Sequence, residues 1–373
     1  MLKKVEDYYY DAEVIGPPTQ ATFDAARMRA PSYYAKADDF KTVMRALFTK
    51  EAAGDAAKFV TTGESAETFK EITKTPVYYP YWEDRDLITT HGGFYADLAR
   101  SGMAPGDPLT LIELGSGPAS EKTFNILKAV QPDNYVDVEG SFESLLETME
   151  MVYTHFPETR RYFRTSDFNS GDMEKRRPLS EEFARSADPR LFEDLPQQGR
   201  RIIVQFGATL GNMPGFPTGE MPKENVLSAL QNYRRHMKEG DILILGIDQN
   251  QDEETIKACY GDKVHEKLAT QTLKKVPVDI DTVQFDPSAF KFKRFWNPAN
   301  HLHALGWEAR CDTAFQIGGR HAEWKKGEFL SYANGYRYPQ EFVDKLYEES
   351  QLKLVKVNRS PQERMSHQVL RAV

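Results

Sequence analysis

The segment LIELGSGPASEKT, from Leu111 to Thr123, joins a run of apolar residues to the start of a helix through three small residues. In a doubly wound sheet the first strand-to-helix turn lies at the carboxyl edge, where ligands bind, and glycine lets the backbone approach a ligand closely. Gly115 and Gly117 flank Ser116 in this turn, but residues 118–120 lack the third glycine of the dinucleotide pattern. The turn therefore favours a nucleotide-like ligand without a diphosphate, with a purely structural turn as the alternative.

The chain around this turn alternates between short apolar runs and amphipathic stretches. The runs are LTLIELG, YVDVEG, RYFRTSDF, RIIVQFG and DILILGID, and the intervening stretches include SEKTFNILKAV, SFESLLETMEMVYTHF and NVLSALQNYRRHM. This alternation predicts a parallel sheet covered by helices on both faces, an α/β fold. The tail segments LKLVKVNRS and SHQVLRAV predict two more strands. The sum is the seven-stranded, mostly parallel sheet of a Rossmann-like class I methyltransferase core.

The length of 373 residues predicts a second, smaller lobe beside this core. Helical spacing predominates up to about Arg85, as in DDFKTVMRALF, whereas FKFKRFW and HLHALGWEAR, after Asp248, show the period of two expected of antiparallel strands. We therefore predict two domains. They are an α+β substrate-binding lobe, residues 1–85 and 250–345, and a cofactor-binding core, residues 86–249 and 346–373.

Composition limits the class of partner. The 48 lysines and arginines against 56 acidic residues give a formal net charge of −8, which disfavours a surface for nucleic acid. Cys259 and Cys311 are too few for a disulfide framework or a four-cysteine zinc site, and we expect reduced structural thiols. The N-terminal residues lack the apolar segment of a signal peptide, and we expect no contact with a membrane. A cytoplasmic monomer or weak homodimer acting on a small molecule is expected.

The ends of the second and third apolar runs carry further candidate ligand-binding residues. Glu139 ends the second run, where an acid accepts hydrogen bonds from ribose hydroxyls, although a solvated strand-end acid is the alternative. Asp167 and Phe168 end the third run and suit the amine and ring of adenine. Together with the glycine turn, they predict S-adenosylmethionine (SAM), which has no phosphate.

No metal site is predicted. His301 and His303 alternate in HLH, and this spacing would place both on one face of a strand. No acid pair nearby completes a metal site, so a surface strand is the expected setting.

Six segments, in order along the chain from about Phe59, resemble one known family. They are TFKEITKTPVYYPYWEDRDLI, LIELGSGPASEKT, FGATLGNMP, ILILGIDQNQDEETIKACYGD, FDPSAFKFKRFWN and GEFLSYANGYRY. The family is that of the histidine-specific N-methyltransferases of ergothioneine biosynthesis, which also includes fungal dimethylallyltryptophan N-methyltransferases. The motifs are specific for this superfamily but not for the substrate.

The resemblance implies roles for individual residues. It implies that SAM is bordered by Gly115, Ser116, Gly117, Lys122, Glu139, Asp167 and Phe168. Asn212 and Tyr260 match positions that hold the substrate carboxylate, and Phe69 and Tyr78 match the aromatic wall of the amino-acid pocket. The alternatives are a turn residue for Asn212 and a core aromatic for Tyr78.

The chain departs from the family where the family binds imidazole. The family's acid and hydroxyl fall at Ala333 and Gly335, its methionine near Ala304 and a tyrosine near Thr61. A site loses its discrimination for histidine when the groups that pair with imidazole are lost. We therefore expect a substrate whose side chain is larger or less polar than imidazole.

Methyl transfer from a sulfonium is an in-line displacement that depends on a neutral amine and close alignment. We assign Tyr78 and Asn212 as the catalytic candidates, because Tyr78 is placed to orient the amine and an aromatic face stabilises a cation by about 1 kcal/mol. The predicted function is a SAM-dependent N-methyltransferase that acts on the α-amino group of a free amino acid or close derivative other than histidine.

Four alternatives remain. A histidine methyltransferase of ergothioneine biosynthesis is the runner-up, on the resemblance alone. A non-catalytic SAM-binding protein is opposed by the presence of both Asn212 and Tyr260. A nicotinamide dehydrogenase is opposed by the absent third glycine, and a nucleic-acid methyltransferase by the net charge and by the sequence GNMPGF in place of an NPPY-type loop.

Overall fold

The computed structural model describes residues 2–5, 8–14, 37–51, 56, 64–118, 120–139, 142–165, 196–213, 220–261 and 263–373. Within these ranges no helix has the length and apolar character needed to cross a membrane.

Strands and helices are numbered along the described chain. The strands are β1 (Leu2–Val5), β2 (Tyr8–Val14), β3 (Leu109–Leu114), β4 (Asn134–Glu139), β5 (Arg160–Thr165), β6 (Arg200–Gln205), β7 (Ile242–Asp248), β8 (Thr282–Val283), β9 (Phe290–Asn297), β10 (Leu302–Ala309), β11 (Thr313–Ile317), β12 (Arg320–Trp324), β13 (Phe329–Tyr336), β14 (Leu352–Arg359) and β15 (Met365–Ala372). The α-helices are α1 (Ala37–Phe48), α2 (Glu64–Thr73), α3 (Tyr79–Arg100), α4 (Glu121–Val130), α5 (Phe142–His155), α6 (Lys223–His236), α7 (Glu253–Cys259), α8 (Lys263–Asp279) and α9 (Gln340–Glu349).

The central sheet has the strand order β1-β2-β5-β4-β3-β6-β7-β15-β14. Strands β3 to β7 are parallel, and β15 and β14 form an antiparallel hairpin beside β7. Every residue of β3, β4 and β7 is buried, as a strand covered on both faces requires. Seven of the nine strands, β3 to β7 with β14 and β15, form the predicted class I methyltransferase sheet, which is confirmed together with the helices α4, α5 and α6.

The N-terminal strands are a correction. We expected helices alone over residues 1–85 and placed this segment in the substrate lobe. Instead, β1 and β2 form a hairpin, and β2 pairs antiparallel with β5 at the edge of the central sheet. Pairing with an exposed sheet edge outweighs a weak local pattern, because strand preference depends on the neighbouring strand.

The segment after β7 forms two small antiparallel sheets, as its period of two predicts. One has the order β13-β10-β9 and the other β12-β11-β8. The N-terminal helix α1 packs on them, since the Phe48 ring stacks on Trp307 with 6.1 Å between centroids. Helix α2 contacts α8 through a 2.9 Å hydrogen bond from Thr68 Oγ1 to Gln271 Oε1. Helix α3 passes through residue 85 without a break, and the limits of the two lobes stay a prediction.

The two cysteines lie in different surroundings. Cys259 is buried and Cys311 is exposed, and neither forms a disulfide. A structural role in packing therefore fits Cys259 only.

Candidate active site

The glycine turn forms as predicted at the carboxyl end of β3. Gly115 and Gly117 have φ angles of 75° and 67°, a region that favours glycine. The Gly115 N–H donates to the carbonyl of Val138 at 2.8 Å, which fastens the turn to the neighbouring strand β4. Helix α4 then begins after Ser120, whose side chain caps it by accepting from the Thr123 N–H.

Glu139 lies against this turn. It is the last residue of β4 and is buried, and its Oε2 accepts a hydrogen bond from the Gly117 N–H at 2.9 Å. The structure thus brings together two of the three predicted strand ends. Asp167 and Phe168, which follow the end of β5 at Thr165, lie outside the described residues. Thr61 lies outside them as well.

Lys122, in the first turn of α4, has a buried partner. Its Nζ donates to Asp84 Oδ2 at 3.1 Å and lies 5.6 Å from the centre of the Tyr81 ring. Asp84 also accepts from the Gly207 N–H, at 2.9 Å, in the turn after β6. Burial opposes the charge of Asp84, but Lys122 and His367 outweigh it and lower the pKa of this carboxyl. Asp84 therefore ties the start of α4 to the end of β6.

A chain of buried hydrogen bonds continues from Asp84. His367 Nε2 lies 2.7 Å from Asp84 Oδ1, and His367 Nδ1 lies 2.8 Å from the Tyr95 hydroxyl. Asn358 Nδ2 donates to the same hydroxyl at 3.3 Å. A carboxylate only accepts, so Nε2 of His367 carries a proton and donates it to Asp84. These hydrogen bonds join α3 to the C-terminal hairpin.

Two acids face each other beneath the turn. Glu113 of β3 and Asp137 of β4 occupy paired positions in the sheet, and both are buried. Tyr135 donates to Glu113 at 2.8 Å, yet burial still raises the pKa of Glu113 to about 7. Burial, followed by the charges of Glu113 and Glu139, raises the pKa of Asp137 well above its usual range. Both carboxyl groups beneath the turn therefore hold a proton more tightly than an exposed acid does.

Asn212 ends a short 3₁₀ helix, Thr209–Asn212, that follows β6. Gly211 of this helix packs so closely on β13 that an added Cβ would lie 2.4 Å from the Tyr336 carbonyl oxygen. The side chain of Asn212 is exposed rather than buried. Its role as a buried amide for a carboxylate stays a prediction.

Tyr78 and Tyr260 form an aromatic pair between α3 and α7. Their ring centroids are 5.8 Å apart and the rings are nearly perpendicular. The ring of buried His265 lies 6.0 Å from Tyr78 and 5.4 Å from Tyr260. Burial raises the pKa of both tyrosines, so they remain neutral phenols. Phe69 lies partly buried on α2, and its place in the pocket stays a prediction.

The strands of the insertion separate the three small residues that we assigned to the far end of the pocket. His303 pairs with Gly335 and Leu305 with Ala333, whereas Ala304 pairs with Asn334. Side chains alternate along a strand, so Ala304 points to the face opposite Ala333 and Gly335. Ala304 packs in the core of the main sheet. Its contact with substrate stays a prediction.

The prediction for the two histidines is wrong. His301 precedes β10, in a left-handed conformation, and its Nδ1 lies 2.8 Å from Gln251 Oε1. His303 is buried within β10, and its ring lies 4.6 Å from that of Tyr260. The period of two was correct, but Tyr260 covers this face of the strand. Burial, with Arg337 next in effect, lowers the pKa of His303 well below its usual range.

Arg337 lies immediately after β13 and is a residue that sequence reasoning missed. Its guanidinium is buried 5.2 Å from the centre of the Tyr260 ring. Nη1 donates to the Gly335 carbonyl at 2.6 Å, and Nη2 is 3.2 Å from Asp248 Oδ2. The signal was an arginine between two tyrosines, in the segment GYRY.

No group of three or more histidine, cysteine, aspartate and glutamate side chains in the described ranges is placed to hold a metal ion. The candidate groups are instead a backbone turn beside buried acids, and an aromatic pair beside a buried cation.

The strand order and the glycine turn define a class I methyltransferase fold. A family model described as histidine-specific methyltransferase, SAM-dependent, matches residues 57–372. The chain belongs to this family, which confirms the resemblance and the dependence on SAM that it implies.

The chain is similar to two N-methyltransferases and to one solved structure. The histidine N-alpha-methyltransferase of Mycobacterium tuberculosis is 27% identical over 245 residues, and the match covers 63% of this chain and 63% of that protein. The N-methyltransferase fsqC of Aspergillus fumigatus is 26% identical over 39% of this chain and 37% of its own length. A solved SAM-dependent methyltransferase of Clostridium acetobutylicum is 10% identical, covers 82% of this chain and 98% of its own, and superposes with a TM-score of 0.42.

Proposed function

We propose that this chain is a SAM-dependent N-methyltransferase that methylates the α-amino group of a free amino acid, or a close derivative, other than histidine. The observation that carries the proposal is the contact of Glu139 with the Gly117 N–H, in a chain of this family. An acid held against the glycine turn is placed to accept from ribose hydroxyls. The residues that would hold SAM are Gly115, Ser116, Gly117, Lys122 and Glu139, with Asp167 and Phe168 outside the described residues.

The chemistry requires alignment more than a strong base. SAM supplies an electrophilic methyl group on a sulfonium. The substrate ammonium loses its proton to water, and its nitrogen then forms a bond to the methyl carbon as the sulfur–carbon bond breaks. Tyr78 and Tyr260 are neutral phenols, so they orient the amine and stabilise positive charge with their rings, without taking its proton.

The substrate preference rests on the face that His303 shares with Ala333 and Gly335. Neither of these two small residues offers a polar side chain to an imidazole, and the polar groups beside them, His303 and Arg337, are the ones proposed to bind the substrate carboxylate. A buried imidazole without partners loses the hydrogen bonds that it makes in water, which costs about 1–3 kcal/mol for each group. An aromatic side chain has no such penalty. The histidine N-alpha-methyltransferase remains the second candidate, because the matching relatives carry that name.

The proposal is tested by incubating the purified protein with SAM and each of the twenty amino acids, followed by mass spectrometry. We expect a mass gain of one or more methyl groups on at least one aromatic amino acid. Binding of SAM without methylation of any amino acid would support a non-catalytic SAM-binding protein instead. A small-molecule substrate, a cytoplasmic location and a monomeric or weakly dimeric state stay predictions from the sequence.

A further inference from the structure

We propose that Arg337 and His303 form a subsite for the carboxylate of the amino-acid substrate, beside the ring of Tyr260. This inference rests on the proposed function and names a charged group where the family resemblance implies only the uncharged Asn212 and Tyr260.

The guanidinium of Arg337 has donors that the described part of the chain does not use. Nη1 donates to the Gly335 carbonyl, but neither Nε nor Nη2 has a hydrogen-bond partner among the described residues, although both are buried. Asp248 balances the charge at 3.2 Å, yet its own oxygens already accept from the Tyr79 hydroxyl and the Asn250 N–H. A buried N–H without a partner costs free energy that a ligand oxygen would recover. The unused donors therefore point to an oxyanion.

His303 supplies a second unused group on the same side. It is buried in β10, and within the described ranges its Nε2 has no hydrogen-bond partner. Burial, with Arg337 next in effect, lowers the pKa of the imidazole and keeps it neutral, so His303 adds a hydrogen-bonding nitrogen without adding a second positive charge. The Tyr260 ring lies 4.6 Å from the His303 ring and 5.2 Å from the guanidinium, so the three groups adjoin one another.

The missing side chain at Gly335 makes room for this arrangement. A Cβ on Gly335 would lie 2.8 Å from Arg337 Nη1, which is closer than a carbon atom tolerates. Gly335 faces the same side as His303. Gly335 stands where the family resemblance implies a hydroxyl side chain. Because this side chain is missing, the Arg337 guanidinium has room to lie beside the Tyr260 ring.

The chemistry of the reaction fits an anionic substrate. The amine must be neutral to attack the methyl group, so an amino acid in its reactive form carries only the negative charge of its carboxylate. A guanidinium binds the two oxygens of a carboxylate with paired N–H groups, which a neutral amide does not match. An amine or amide analogue that lacks this carboxylate should therefore bind poorly.

The test measures binding of amino acids and their amides to the full chain loaded with S-adenosylhomocysteine, by calorimetry. The twenty amino acids and the matching amides are the probes. We expect wild type to bind at least one amino acid about 100-fold more tightly than its amide, since hydrogen bonds to charged groups are the strong ones. Arg337→Gln should reduce this ratio to below about 5-fold, and His303→Gln should reduce it by about 10-fold.

Three further variants serve as controls for this test. Tyr336→Phe is the matched control, because Tyr336 precedes Arg337 but packs in the core on the opposite face, and its acid-to-amide ratio should equal that of wild type. Arg337→Gln leaves Asp248 without a cation, so the double variant Arg337→Gln/Asp248→Asn is measured as well and should show the same loss of the ratio if it folds. Arg337→Lys keeps the charge in a smaller head group and should retain part of the ratio.

The outcomes separate this inference from the proposed function. If wild type binds no amino acid, or if Arg337→Gln and the double variant keep the wild-type ratio, the inference is overturned. Carboxylate-dependent binding without methyl transfer would leave the subsite standing and overturn the proposed function. Methylation of an amino acid, with an acid-to-amide ratio that is the same in the variants as in wild type, would support the proposed function and overturn the subsite.

Discussion

Glu139 Oε2 accepts a hydrogen bond from the Gly117 N–H across 2.9 Å, which joins the end of β4 to the turn after β3. These residues are 22 positions apart, and the parallel pairing of the two strands brings them to the same edge of the sheet. The contact fixes the turn and places a carboxylate beside it. The proposed SAM site depends on this contact between Glu139 and Gly117.

The first prediction concerns this carboxylate. Glu139→Ala removes the proposed ribose acceptor and leaves the Gly117 N–H without its partner. We expect the affinity for SAM to fall by about 1–3 kcal/mol, as for other hydrogen bonds to charged groups. Calorimetric titration with SAM measures the change. Glu308→Ala, which removes an acid of β10 that pairs with Lys291, is the control and should leave the affinity unchanged. An unchanged dissociation constant in Glu139→Ala would remove Glu139 from the cofactor site.

The second prediction concerns the buried carboxylate of Asp84. Asp84→Asn removes the negative charge that Lys122, His367 and the Gly207 N–H share. We expect the free energy of unfolding to fall by about 3 kcal/mol, because Lys122 then lacks its largely buried counter-ion. Urea denaturation measures the loss. Asp86→Asn, on the same helix but largely exposed, should change stability by less than about 0.5 kcal/mol. Equal free energies of unfolding for the two variants would show that the contacts of Asp84 with Lys122, His367 and Gly207 do not stabilise the fold.

The third prediction is a pH dependence that arises at Glu113. Burial raises its pKa from the ordinary value of 4.5 to about 7, so the folded protein holds this proton more tightly than the unfolded chain does. The resulting stabilisation is complete below about pH 4.5 and is lost as the pH rises towards about 7, at most about 1.4 kcal/mol per pH unit. Glu113→Gln removes this dependence. The difference in unfolding free energy between wild type and Glu113→Gln should therefore change across this range, with the variant gaining relative stability as the pH rises. If the unfolding free energies of wild type and Glu113→Gln change in parallel with pH, the raised pKa of Glu113 is contradicted.

The fourth prediction concerns space beside Arg337. Gly335→Ala adds a Cβ 2.8 Å from Arg337 Nη1, so the guanidinium must move. We expect KM for the amino acid to rise by about 10-fold with a smaller change in kcat, since binding energy common to substrate and transition state is lost. Steady-state kinetics measure both constants. Gly93→Ala, on the exposed side of α3 where an added Cβ meets no atom within 4 Å, should leave both unchanged. A KM equal to that of wild type in Gly335→Ala would contradict the account of this position.

The sequence predicts the central sheet well because its strands carry local signals. The run LTLIELG is continuously apolar, and β3 is buried at every position. The hairpin of β1 and β2 was missed, because its pairing with β5 depends on a strand about 150 residues further along the chain. Local pattern therefore identifies buried strands and leaves edge strands undetermined.

The site was predictable only where a motif marks it. Gly115, Gly117 and Glu139 stand at strand ends, a position that topology alone assigns to ligands. Asp84 and His367 are 283 residues apart, and no spacing rule relates them. The period of two in HLHALGWEAR placed His303 on a strand but could not show that Tyr260 covers it. Contacts between distant segments thus account for most of what sequence reasoning missed.

The central claim is that the chain methylates the α-amino group of an amino acid other than histidine. It is tested most directly by competition: histidine, phenylalanine, tyrosine and tryptophan at equal concentration, with SAM that carries a deuterated methyl group, followed by mass spectrometry of the products. We predict that the label appears on the α-nitrogen of an aromatic amino acid at least about 10-fold faster than on histidine, since unpaired polar groups oppose the binding of imidazole. Fastest labelling of histidine would contradict the account and assign the chain the activity that its matching relatives are named for.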